Sequence, residues 1–171
     1  MKTVKVIITI LIVLSILFFG IGLVIKENKY STEVIIDKSL SETFTLFNQQ
    51  DSISKWIPEV TKVETIQKKP GFIGSEYRIV MDNQGQLMTM KEKVLAYVEN
   101  KKVIFYFDAE GVFKTDDYTF STDGKMTTIK LDVSFQAESY ILSCLFPYFK
   151  GTFKGVDEKN LNSFKAFVEQ L

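Results

Sequence analysis

The chain has 171 residues, 46% of them hydrophobic, with 21 basic and 21 acidic side chains and a formal charge of zero. That fits one globular domain with something extra, and the balanced charge leaves no footprint for nucleic-acid binding. Histidine is absent and Cys144 is the only cysteine, which excludes histidine triads, histidine metal ligands, intrachain disulfides and cysteine-rich zinc sites. Arg78 is the only arginine, so bidentate phosphate recognition has little to draw on. No metal or other cofactor is expected. Cys144, on an apolar stretch, reads as a small buried hydrophobe.

Residues 1–5 form a short tail. Residues 6–25, "VIITILIVLSILFFGIGLVI", carry no charge. Twenty helical residues rise about 30 Å, the thickness of a bilayer core. Gly20 and Gly22 imitate a signal-peptide cleavage site, but the apolar run continues past them and exceeds an ordinary signal core. The reading is therefore an uncleaved, single-pass membrane anchor. The amine with Lys2 and Lys5 outweighs Lys26, Glu27 and Lys29, which places the rest of the chain on the extracytoplasmic side. Residues 26–29 are a short linker, and the domain occupies 30–171.

Within the domain, "YSTEVIID" reads as a strand. Ser39 opens a helix with Glu42 as its capping-box partner. A second short helix starts at Asp51 and Ser52 and ends at Trp56, ahead of Pro58. Residues 60–67 alternate as a strand, and "KKPGFIG" is a turn. Four long runs follow, "SEYRIVMD", "QLMTMKEKVLAYV", "KVIFYFDA" and "VFKTDDYTFS", then "KMTTIKLDVSFQA". Turn signals lie between them at Asn83-Gln84-Gly85, Glu99-Asn100, Glu110-Gly111 and Asp123-Gly124. This spacing predicts an antiparallel meander with one apolar face. Phe149, Phe153, Val156, Phe164, Phe167, Val168 and Leu171 recur at helical spacing, so a C-terminal helix covers that face. Pro147, Gly151 and Gly155 predict that its first part is kinked or loose. The class is α+β.

The ordered tokens "IIDKSLSETFTLFN", "WIPEVTKVE", "PGFIGSEYRI", "YTFSTDGKMTTIKLDVSF" and "LNSFKAFVEQL" resemble the START-like, or SRPBCC, superfamily. They are most similar to its polyketide cyclase/dehydrase and lipid-transport branch. The resemblance runs from about Tyr30 to Leu171. It implies a helix-grip (START/Bet v 1-like) fold, a curved antiparallel sheet around a long C-terminal helix, with a tendency to hold a ligand in the cavity between them. It carries no catalytic motif onto these positions. The iron-binding oxygenase members of the superfamily need histidine ligands that this chain lacks.

Alternation points Tyr77, Met81, Met88, Met90, Phe105, Phe107, Tyr118 and Phe120 inward, and the resemblance puts Trp56 near one end of the cavity. Each serves equally as ordinary core. The methionines tip the balance toward a ligand wall, because their side chains adapt to varied apolar shapes. Phe149, with Phe146 and Phe153, belongs to the helix that Pro147 interrupts and is a candidate entrance. Glu92 and Asp116 share the inward phase and are candidate polar cavity groups, against the simpler reading of an edge position or a lysine partner. The sequence thus favours a membrane-anchored module that binds a hydrophobic small molecule such as a lipid, quinone or polyketide-like compound. Two alternatives stay open: a cyclase, dehydratase or hydrolase on the same cavity, and an interaction or stress-response module with a filled core. The oligomeric state is not legible.

Overall fold

The structure is a computed structural model that describes residues 2–171. Among these, the elements are α1 (Lys2–Val24), β1 (Asn28–Ile36), α2 (Leu40–Phe47), a 3-10 turn (Gln50–Ser52), α3 (Ile53–Trp56), β2 (Val60–Gln67), β3 (Glu76–Asn83), β4 (Gln86–Val98), β5 (Lys102–Ala109), β6 (Val112–Thr122), β7 (Thr127–Ala137) and α4 (Tyr140–Glu169). α1 starts four residues before the uncharged run, taking in Lys2 and Lys5, and is long and apolar enough to cross a membrane. β1 begins two residues ahead of Tyr30.

The seven strands form one antiparallel sheet in the order β1-β7-β6-β5-β4-β3-β2. The meander follows from its turns. Gln84-Gly85 and Glu110-Gly111 hold positive φ at both positions (55° and 89°, 51° and 86°), the twist that two-residue hairpins need. The β4–β5 register slips between Val94 and Ala96, and the β2–β3 register slips twice. Such bulges bend the strands and help the sheet curl. At the start of α2, Ser39 accepts the Glu42 amide at 3.4 Å, as the capping pattern requires.

α4 is one continuous helix of 30 residues with Pro147 inside it, so the stretch holding Pro147, Gly151 and Gly155 is helical and not loose. Proline removes one backbone donor from a helix interior. Packing on both sides of it keeps this helix whole: its first turns lie against α1 and its later ones along β1. Thr32 of β1 donates to Glu158 at 3.5 Å, and the Asp37 amide donates to Glu169 at 2.8 Å. The helix thus runs over the β1–β7 side of the sheet. Phe164, fully buried, meets Phe47 and Trp56 edge-on at centroid distances of 5.2 and 5.1 Å. Phe44 and Phe120, 4.9 Å apart, continue the same core beneath α2.

This aromatic contact is what joins helix, short helices and sheet. Phe164→Ala should therefore cost about 3–5 kcal/mol in chemical unfolding of the full chain in detergent. A change near zero would mean that the helix does not grip the sheet.

Candidate functional site

Because α4 lies over β1 and β7, the inner faces of β3 to β6 are left unroofed. A cavity of about 520 Å³ occupies that space. Its floor comes from alternate residues of four strands: Tyr77, Ile79 and Met81; Met90, Glu92 and Val94; Val103, Phe105 and Phe107; Lys114, Asp116 and Tyr118. Trp56 and Phe47 close one side, and Val156, Asp157, Asn160 and Leu161 of α4 the other. Asp51, Lys68, Phe72 and Val156 line the cavity and are exposed, which marks them as rim. Phe72 sits in the β2–β3 turn at φ 67°, a conformation unfavourable for a bulky residue. Its ring stacks on Tyr97 at 4.8 Å.

The expected wall residues divide. Trp56, Tyr77, Met81, Met90, Phe105, Phe107 and Tyr118 meet around the cavity, and so do Glu92 and Asp116. Met88, Phe120 and Phe149 do not line it. Met88 is 46% exposed, because β4 pairs with β5 only from Lys91 onward. Met88 lies farther out on this hairpin tip than Met90, which adjoins the paired stretch and still reaches the cavity. Phe120 points inward but at the end of β6 that α2 covers, where Phe44 and Phe47 fill the space. Phe149 lies on the outer face of α4 and is 48% exposed. Trp56 is both core and wall: it stacks on Phe47 at 5.7 Å and meets Phe164, while also facing the cavity.

A charged cluster crosses the cavity floor. The Lys114 ammonium donates to Asp116 and to Asp157, both at 2.9 Å, and the Tyr30 hydroxyl donates to Asp157. Glu92, Asp116 and Asp157 are buried. Register explains the gathering: Glu92 pairs with Phe107, which pairs with Lys114, while Asp116 lies across Val133 from Tyr30. Lys114 shares the phase of Asp116 two residues on, and that phase was the available signal for it. Asp157 sits on a stretch of α4 whose polar residues are mostly exposed, and nothing in the sequence separates it from them.

Burial, reinforced by the nearby Asp116 charge, pushes the Glu92 carboxyl up to about 8. Burial also pushes Asp116 up to about 6, with Lys114 pulling it down and Asp157 adding to the rise. For Lys114, burial acts downward, but Asp116 and Asp157 outweigh it and raise the ammonium above its usual value. Near neutral pH the floor thus holds a protonated Glu92 beside an ion pair, an arrangement able to donate and accept hydrogen bonds in an apolar enclosure. Trp56 Nε1 and Asp116 Oδ1 have no partner among the described residues.

No protein-family model and no curated protein matches the chain. Solved structures do. A START superfamily protein from Mycobacterium smegmatis superposes with a TM-score of 0.71 at 15% identity, covering 83% of this chain and 97% of its own. The protein Ara h 8.0201 gives 0.70 at 15% identity, covering 85% and 99%. The Zhui aromatase/cyclase from Streptomyces sp. R1128 gives 0.69 at 13% identity, covering 84% and 94%. The chain has the START-like helix-grip fold. The resemblance carried by the sequence tokens therefore stands for the fold, and at these identities the START-like neighbours speak for fold alone.

The raised carboxyls have a consequence for stability. Glu92 keeps in the folded state a proton that the unfolded chain releases above its ordinary value of 4.5. Its stabilisation is therefore full below about 4.5 and is lost as pH rises to about 8. Asp116 acts in the same direction over a lower range, up to about 6. Urea unfolding at a series of pH values should show the Glu92→Gln variant gaining on the parent by about 4 kcal/mol between the two ends of the Glu92 window. A difference that does not change with pH would refute the buried, protonated Glu92.

Proposed function

We propose that the chain is a membrane-anchored module that binds a hydrophobic small molecule bearing a polar group. The observation that carries this reading is the cavity of about 520 Å³, aromatic and aliphatic on most sides, with Glu92, Lys114 and Asp116 gathered on its floor. A space of that size favours a binder or an enzyme over a domain with a filled interior. The apolar body of a lipid, quinone or polyketide-like ligand would lie against Tyr77, Met90, Phe105 and Phe107. Its polar end would reach the charged floor, where a hydroxyl or carbonyl meets both a donor and an acceptor. Each 100 Å² of apolar ligand surface removed from water contributes about 2.5 kcal/mol before entropy costs.

The anchor is α1. Besides its length and apolarity, its end is built into the domain. Phe18 stacks on Tyr148 at 6.3 Å and Phe19 on Tyr140 at 6.2 Å. Gly22 is buried against Cys144 so closely that a Cβ there would collide with its sulfur. A segment destined for removal has no need of such a fit, which supports a retained helix, with the domain on the side away from Lys2 and Lys5.

One observation favours a second reading. Glu92, protonated near neutrality, and the Lys114–Asp116 pair are the kind of acid and base that a cyclase or dehydratase needs beside its substrate. The two readings separate on the fate of the ligand. A binder returns it unchanged after incubation, whereas an enzyme alters its mass and loses that ability in Glu92→Gln.

Binding itself is tested with a fluorescent fatty acid and the full chain in detergent. Affinity should change little between low and high salt, since apolar burial is not screened. Met90→Lys should weaken it at least tenfold by placing an ammonium on the wall, while Met88→Lys, outside the cavity, should bind like the parent. Equal binding by both folded variants would rule out this cavity.

A further inference from the structure

The contacts between α1 and α4 fix a depth. Phe18 and Phe19 lie six to seven residues inside the end of the uncharged run at Ile25, which is about 10 Å along a helix. Their partners on α4 are Tyr148 and Tyr140, whose hydroxyl also donates to the Phe19 carbonyl. Tyr140 and Tyr148 are eight residues apart on α4, about 12 Å, yet they meet adjacent residues of α1. The two helices therefore cross steeply, and α4 does not run alongside α1. If α1 stands across a bilayer, the first turns of α4 lie flat within it, about 10 Å below the end of the apolar run. That matches the depth of roughly 5–10 Å at which interfacial helices settle.

The side chains agree. Ile141 is 59% exposed, Tyr148 61% and Phe149 48%. Phe146 turns to the sheet and is buried against Phe135, whereas Cys144, on the side of Ile141 and Tyr148, is buried against Gly22 of α1. Water-facing positions on such a helix would be expected to be polar. Tyrosine at both ends of the segment suits the boundary between headgroups and chains. Lys150 follows directly and is exposed, at a position to meet anionic headgroups.

We infer that the first turns of α4, from Tyr140 to Phe149, form a second membrane element, a helix embedded in the headgroup–hydrocarbon boundary of the bilayer that α1 crosses. This rests on α1 spanning the membrane, as proposed above. Val156, seven residues beyond Phe149 on the same helix face, lines the cavity. The α4 rim of the cavity thus lies at the level of the lipid, and an apolar ligand passes between bilayer and cavity without crossing water.

The test uses depth-dependent quenching in the full chain, reconstituted in phosphatidylcholine–phosphatidylglycerol vesicles that contain brominated lipid. Trp56→Phe removes the native tryptophan, and single tryptophans are then placed at Leu11, Ile141 or Tyr148. Leu11→Trp should be quenched most by bromines near the chain ends. Ile141→Trp and Tyr148→Trp should be quenched most by bromines near the glycerol. Quenching at Leu11 with none at Ile141 and Tyr148 overturns the α4 inference and leaves the anchor standing. No quenching at Leu11 overturns the anchor, and this inference with it. A blue-shifted, unquenched Tyr148→Trp in a cross-linkable dimer would mean that a second copy covers the face, which also overturns it. Should Trp56→Phe not fold, a lipid-borne diazirine can be photolysed with the unaltered protein. Adducts on the peptide holding Tyr148 and Phe149 support the inference, and adducts confined to α1 refute it.

Discussion

Asp157 sets the position of the long helix. It is a buried carboxylate on an otherwise apolar helix face, and it accepts from both Tyr30 of β1 and Lys114 of β6. A buried charge without its partners costs several kcal/mol, so the helix has one favourable register over the sheet and not a family of sliding ones. That register holds α4 over β1 and β7. The gap over β3 to β6 follows from it, and Trp56 and Phe164 close the gap at one side only. Apolar packing alone would draw helix and sheet together until the space was filled. The ionic link makes an open interior compatible with a stable fold.

The same link ties the site's charge state to its architecture. Lys114 cannot leave Asp116 and Asp157 without stranding two carboxylates, so it serves first as a structural cation. Glu92 stands two strands away on the same row, with Phe107 between, and is free of that duty. Its proton is held by burial and by repulsion from Asp116. A polar ligand that neutralised Asp116 would loosen that proton, and one that brought a second negative charge would tighten it. For an ionisable ligand held there, as proposed, affinity would be coupled to pH through both carboxyls.

The strands and their faces were legible because alternation and turn chemistry act over a few residues. "QLMTMKEKVLAYV" and "KVIFYFDA" coincide with β4 and β5 to the residue. What alternation cannot report is what lies above a face. Met88 and Met90 have the same phase and both pair with β3, yet only Met90 has the cavity beside it. Phe120 and Tyr118 also share a phase and both meet Phe47 of α2, yet only Tyr118 reaches the cavity as well. In α4, helical spacing grouped Phe149 and Val156 with Phe164 because all are apolar. It could not show that Phe149 faces away from the domain. Pro147 and the two glycines allowed a loose segment because local propensity is blind to α1 packing against these turns. Asp157 was hidden for a related reason: its burial depends on Tyr30, more than a hundred residues away.

The two strands that end the sheet are treated differently. β1 has α4 running along it, with the Asp37 amide just past its end held by Glu169. β2 carries two register slips, and Lys62, Glu64 and Arg78 form ion pairs across its surface. If α1 holds the chain in a membrane, as proposed, neighbouring copies are concentrated far above the level of a freely diffusing protein. There an open, flat edge would recruit a strand from the next molecule. A covered edge and an irregular, charged one deny it that partner, so crowding in two dimensions need not end in sheet-to-sheet polymers.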